Sequence, residues 1–114
     1  MADRGDVLRL KRRLGFGARG EGESVLVVQE DELGRVLPTI LVVPLDPAIA
    51  AHGGRPIAVR VSAQEAGASV DQVALVHQVR PVAKTALAPG VVGTVLPRTM
   101  AAIDRALRYV LSLG

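Results

Sequence analysis

Apolar residues fall along this chain in short runs of two kinds. Val25-Leu26-Val27-Val28 and Thr39-Ile40-Leu41-Val42-Val43 are continuous and rich in β-branched residues, the pattern of strands covered on both faces; Pro44 is expected to end the second. Ile57, Val59 and Val61 alternate with Ala58 and Arg60, the period of a half-buried strand. A longer alternation puts Val73, Leu75, His77 and Val79 on one side and Ala74, Val76, Gln78 and Arg80 on the other. Pro81 marks an edge or an end of that strand. Val7 to Leu10 reads as a brief first strand. Between these runs, 11–23 and 62–69 read as loops and 31–35 as a polar turn, while 46–55 is a loop with room for one helical turn. Helical spacing belongs to the last segment. There Met100, Ile103, Leu107, Val110 and Leu111 form one stripe opposite Arg98, Asp104, Arg105 and Arg108, and Pro97 suits the first helical position. Five or six short strands closed by one helix predict a single mainly β domain over residues 1–114, built as a small, strongly bent sheet or partial barrel.

Composition narrows the class. An apolar share of 49% is too high for a disordered chain, and 114 residues can bury one modest core. Asp31, Arg35, Asp46 and Arg60 interrupt the longest apolar stretches, so no membrane span is expected, and MADRGDV is unlike a secretory signal. The expected setting is the cytoplasm. With no cysteine, disulfides, thiolate metal sites and cysteine nucleophiles are excluded.

Net charge is +3, but its distribution matters more. Arg4, Arg9, Lys11, Arg12, Arg13 and Arg19 crowd the first twenty residues. Arg80, Lys84, Arg98, Arg105 and Arg108 form a second basic group near the C-terminus. Such clusters are either solvated faces or phosphate contacts. Phe16 and Tyr109 are the only aromatics, so binding by base stacking is nearly ruled out.

Three motifs lose to plainer readings. Gly15-Phe16-Gly17-Ala18-Arg19-Gly20 is a literal G-x-G-x-x-G, but a strand follows it rather than the helix a dinucleotide needs, and Glu21 and Glu23 would repel phosphate. Arg4-Gly5-Asp6 reads as a turn leading into the first strand. His52 and His77 are too few for a zinc site, and His77, on the apolar side of its strand, reads as a structural histidine. Asp46, after a buried strand, is a turn former or a site residue.

Taken in order, several segments resemble the MazF/PemK family of toxin endoribonucleases across almost the whole chain. They are Arg4-Gly5-Asp6-Val7, Val25-Leu26-Val27-Val28-Gln29 with Asp31 after it, Thr39 to Leu45, and Val73-Ala74-Leu75-Val76-His77-Gln78-Val79-Arg80. The last is Leu96-Pro97-Arg98-Thr99-Met100 with Ile103-Asp104 and Ala106-Leu107. The resemblance implies an SH3-like β-barrel of the PemK/CcdB type with a C-terminal helix, and a symmetric homodimer bound by a cognate antitoxin. It implies cleavage of single-stranded RNA without metal or other cofactor, the RNA's own 2′-hydroxyl attacking the neighbouring phosphate. Operator DNA enters as a partner through the antitoxin. A catalytically degenerate dimer that only binds antitoxin, RNA or operator DNA is the alternative, and a topoisomerase-poisoning toxin of the CcdB kind shares the fold.

At the family's reactive positions this sequence departs. The family's Arg-Pro before the second strand reads Glu23-Ser24, its Thr after Pro-Leu reads Asp46, and its small-residue-then-Glu in the loop reads Ala18-Arg19. Glu and Arg look exchanged, so the resemblance implies a catalytic set of Arg19, Glu23 and Asp46. The two carboxylates would divide base and acid work while Arg19 steadied the phosphorane charge. Lys11, Arg12, Arg13, Gln78 and Arg80 are the implied RNA contacts, Gln78 standing where the family has Gln.

Overall fold

The computed structural model describes residues 2–11, 24–52, 55 and 57–113. One antiparallel sheet contains β1 (Asp6–Arg9), β2 (Ser24–Val27), β3 (Thr39–Asp46), β4 (Ala58–Val61), β5 (Gln72–Leu75), β6 (Arg80–Ala83) and β7 (Gly93–Thr94). Among the described residues, three α-helices accompany it: α1 (Asp31–Val36), α2 (Ala63–Ala66) and α3 (Pro97–Val110).

β3 organises the sheet. Along one edge it pairs with β2, Val42 to Leu45 standing opposite Val27 to Ser24. Its other edge is shared: residues 39–42 pair with β6, and residues 45–46 with β5. Two partners on one edge force the sheet to bend, as the short strands predict. The curl is carried further at β1, whose second edge meets the chain's late segments. Leu10 bridges Leu87, the Ala88 N–H donates to the Arg9 carbonyl at 2.8 Å, and Val7 and Asp6 pair with Gly93 and Thr94.

Strand alternation sorts the core into two layers. Val7, Leu26, Val43, Leu45, Val61 and Ala74 face α3 and pack with its Ile103 and Ala106. Leu8, Val25, Val27, Ile40 and Val42 face the other way and pack with Leu10 and Val82. This explains the continuous apolar runs: both faces of β2 are buried, as are both faces of β3 from Val42 to Asp46. α3 starts at Pro97 as expected and buries Thr99, Ile103 and Ala106, with Met100, Leu107 and Val110 at the margin of the same layer. Leu111 is not part of the stripe. It caps the helix and is exposed.

Other expectations also change. Pro44 does not end the strand; it stands opposite Val25, and β3 runs on to Asp46. Pro44 lies where β6 gives way to β5, so the far edge of β3 needs no donor there. The alternation over 73–80 is not one strand. It breaks after Leu75 into a 3₁₀ turn at Val76–Gln78, which turns His77 out to solvent rather than into the core. The polar turn at 31–35 is α1, capped by the Glu30 carboxylate accepting from the Glu32 and Leu33 N–H groups. The loop at 62–69 contains α2, opened by a reciprocal capping box between Ser62 and Glu65.

Arg4-Gly5-Asp6 forms the turn before β1, with Gly5 at φ +95°. Arg4 then ties distant elements together. Its N–H donates to Asp31 at 2.8 Å, its Nε to the Val28 carbonyl at 3.1 Å, and its guanidinium pairs with Asp104 of α3.

Glu65 joins α2 to the start of α3. Besides the Ser62 N–H, its buried carboxylate accepts the Leu96 N–H at 2.8 Å. Burial pushes this carboxyl up, but hydrogen bonds from Thr99, Leu96 and Ser62 outweigh it and hold the group below its ordinary value of about 4.5. A lowered folded-state value contributes stability above the unfolded value, and that contribution is lost as pH falls through the folded one. Glu65→Ala should therefore cost about 1–3 kcal/mol at neutral pH, where it strands buried donors. The difference from the unaltered protein should narrow in acid, as urea unfolding near neutrality and near pH 3 would show.

Candidate active site

The sheet end that gathers the C-terminal end of β1, the start of β2 and the end of β3 is marked by the row Arg9, Ser24, Leu45. Asp46 is the next residue, paired with Val73 across the ladder and buried, its side chain 1% exposed. A carboxylate taken so far from water must be matched by donors. The following turn supplies them. Pro47 fixes the first step, the Ala48 N–H donates to Asp46 Oδ1 at 2.9 Å, and a 3₁₀ turn at Ile49–Ala51 folds the chain back. Backbone bonds from Ala51 to Ala48 and from His52 to Ile49 close it. His52 thereby returns to Asp46, its Nε2 2.8 Å from Oδ2. Both carboxylate oxygens are held, and the ring, 22% exposed, lies between the carboxylate and the surface.

Asp46 thus forms the turn its position allowed, and its carboxylate pairs with His52. His52 is the functional candidate that sequence reasoning passed over. Its signal was slight, an Asp-Pro followed by a histidine inside one loop, and it acquires meaning only from the tight turn between them. Among the described residues no group of three or more His, Cys, Asp or Glu is placed to hold a metal ion.

Of the other expected site residues, Arg12, Arg13, Arg19 and Glu23 lie outside the described residues. Lys11 is exposed just beyond β1, its N–H donating to the Ala86 carbonyl at 2.9 Å. Gln78 ends the 3₁₀ turn between β5 and β6, its amide nitrogen 3.5 Å from His77 Nε2. Arg80 is exposed at the start of β6, opposite Val42. Val42 is four residues before Asp46, roughly 13 Å along the strand. Gln78 and Arg80 therefore lie beside the other stretch of the β3 edge, the one that pairs with β6.

Comparison with known proteins gives the following. A family model described as "PemK-like, MazF-like toxin of type II toxin-antitoxin system" matches residues 3–111. No curated protein sequence matches. Among solved structures, an endoribonuclease in complex with its cognate antitoxin from a mycobacterial species superposes with a TM-score of 0.75 at 22% identity, over 99% of this chain and 95% of that one. The Mycobacterium tuberculosis toxin MazF-mt6 gives 0.76 at 16% identity, over 96% and 98%. A MazE–MazF structure from Deinococcus radiodurans gives 0.75 at 18% identity, over 99% and 98%. At these identities the superpositions establish the fold, a curled half-barrel sheet with a C-terminal helix.

Proposed function

Because the chain belongs to the PemK-like, MazF-like toxin family of type II toxin–antitoxin systems, we propose that it is an endoribonuclease that cleaves single-stranded RNA through attack of the 2′-hydroxyl on the adjacent phosphate, without metal. The observation that carries this reading is Asp46. By the resemblance it stands where the family has Thr after Pro-Leu, and it is buried against a histidine rather than solvated. The reaction needs a base for the 2′-hydroxyl, an acid for the 5′ oxygen and positive charge for the phosphorane. The pair it forms with His52 brings acid–base capacity. Glu23, outside the described residues, is the second carboxylate that the resemblance implies. Arg19, likewise outside the described residues, is the cation that the resemblance implies.

The test is direct. Purified protein is incubated with single-stranded RNA and excess chelator, and the products are examined for 2′,3′-cyclic phosphate and 5′-hydroxyl ends. Their appearance supports the reading. Intact RNA beside retained binding would favour a dimer that only binds.

The proposed partners follow from the same reading: RNA, a cognate antitoxin, operator DNA through that antitoxin, and a second copy of this chain. Supporting the homodimer, Leu33, Val36, Leu37 and Val91 present apolar side chains to solvent in the single chain. RNA binding should run on charge. Replacing Lys11, Arg12 and Arg13 with alanine should weaken binding for all sequences and flatten its salt dependence, by about 0.7 in log–log slope for each phosphate no longer neutralised. Affinity titrations over a range of salt would check this, and an unchanged slope would make the cluster a solvated face.

A further inference from the structure

We infer that His52 is the catalytic base of this site and that Asp46 is its positioning residue, acting on the RNA only through the imidazole ring. The inference rests on the endoribonuclease reading and assigns its proton transfer to an atom.

Geometry separates the two roles. Asp46, at 1% exposure, is walled off from any substrate, while the His52 ring reaches the surface. Asp46 Oδ2 engages Nε2, and Oδ1 is fixed by the Ala48 N–H, so the ring is held from behind in one orientation. An ionised carboxylate accepts the Nε2 proton and leaves the lone pair on Nδ1. Nδ1 has no hydrogen-bond partner among the described residues. Asp46 is also the charged group within ion-pair distance of the ring among them. His77 provides the contrast: it is exposed on its turn, and its side-chain neighbour is the Gln78 amide. One histidine is built into a pair and the other is not.

The step balances without further reagents. Nδ1 takes the 2′-hydroxyl proton, O2′ bonds to phosphorus, and the P–O5′ bond breaks. The departing 5′ oxygen takes a proton from water, and the imidazolium returns its own to the hydroxide so formed. While the ring is positive, the adjacent carboxylate of the buried Asp46 stabilises it.

The experiment compares the unaltered protein with His52→Ala and His52→Gln on single-stranded RNA in chelator, from about pH 5 to pH 9, with thermal melts to confirm folding. The unaltered protein should gain rate with pH and reach a plateau. His52→Ala should lose about 10²–10⁴-fold in kcat with little change in KM and lose that rising limb, and added imidazole should restore part of the rate. A purely structural histidine would give no such rescue. Should His52→Ala fail to fold, His52→Gln, whose amide can still donate to Asp46, carries the same comparison of rate and pH profile. Cleavage by either folded variant at the unaltered rate, with the same pH limb, would overturn the role of His52 and leave the endoribonuclease reading standing. Absence of cleavage by the unaltered protein would overturn that reading, and the base assignment with it.

Discussion

Asp46→Asn should cleave single-stranded RNA about 10²–10⁴-fold more slowly than the unaltered protein while keeping its fold. The substitution is nearly isosteric and leaves an oxygen for the Ala48 N–H, so the turn that follows β3 has its main tether. What it removes is charge. An amide beside His52 Nε2 no longer favours the tautomer with its lone pair on Nδ1, and it gives no electrostatic support to the ring once protonated. The loss should therefore fall on kcat, with RNA affinity changed little, because the substitution leaves Lys11, Gln78 and Arg80 in place. Single-turnover kinetics with saturating enzyme would isolate the chemical step. A rate for Asp46→Asn equal to that of the unaltered protein would remove Asp46 from the reaction.

The second large effect concerns stability. Gly93→Ala should destabilise the protein by about 3–5 kcal/mol, a large share of the ~5–15 kcal/mol typical of a domain. A Cβ on Gly93 would lie 2.1 Å from the Glu65 carbonyl oxygen and 2.9 Å from the backbone of Ala66 and Gly67. These are backbone atoms of α2 and its cap, with no flexible side chain to move aside. The crowding is reciprocal: Gly67, at φ +61°, would place its own Cβ 1.8 Å from the Val92 carbonyl oxygen. Two glycines thus let α2 and β7 meet backbone to backbone, beside the Glu65–Leu96 bond that starts α3. Relief requires β7 to withdraw from β1, the strand that carries Val7 into the core. Urea unfolding should show a much lower midpoint for Gly93→Ala, and an unchanged midpoint would mean that the crossing can open at little cost.

How far the sequence led depends on what each element needed from elsewhere. β2, β3 and α3 were legible because their residues carry the pattern alone: Val25 to Val28, Ile40 to Val43, and the spacing of Met100, Ile103 and Leu107. α2 reads as loop in the sequence: Ser62-Ala63-Gln64-Glu65 has the spacing of a capping box, but four residues give no periodicity to draw attention to it. α1 is masked by Gly34 and by Val36 and Pro38 at its end. The break between β5 and β6 could not be read locally. Alternation over 73–80 is that of one strand, and the break arises because β3 offers each half a different stretch of its edge. Asp46 stood out by its place after a buried strand. His52 did not, because its role depends on a six-residue return that brings its ring back to the carboxylate.

The closure of β1 by residues 87–94 also sets the order in which the chain can assemble during synthesis. β1 leaves the ribosome first among the strands, yet its second edge is completed only when Leu87, Gly93 and Thr94 have followed. Arg4 waits longer still for Asp104. Pairing across such separations must overcome most of its loop-closure entropy before any native interaction repays it, which slows folding to the regime of non-local β proteins. β1, β2 and β3 cannot become a finished fold on their own, so assembly of the Asp46–His52 end within a complete sheet waits for residues 87–104.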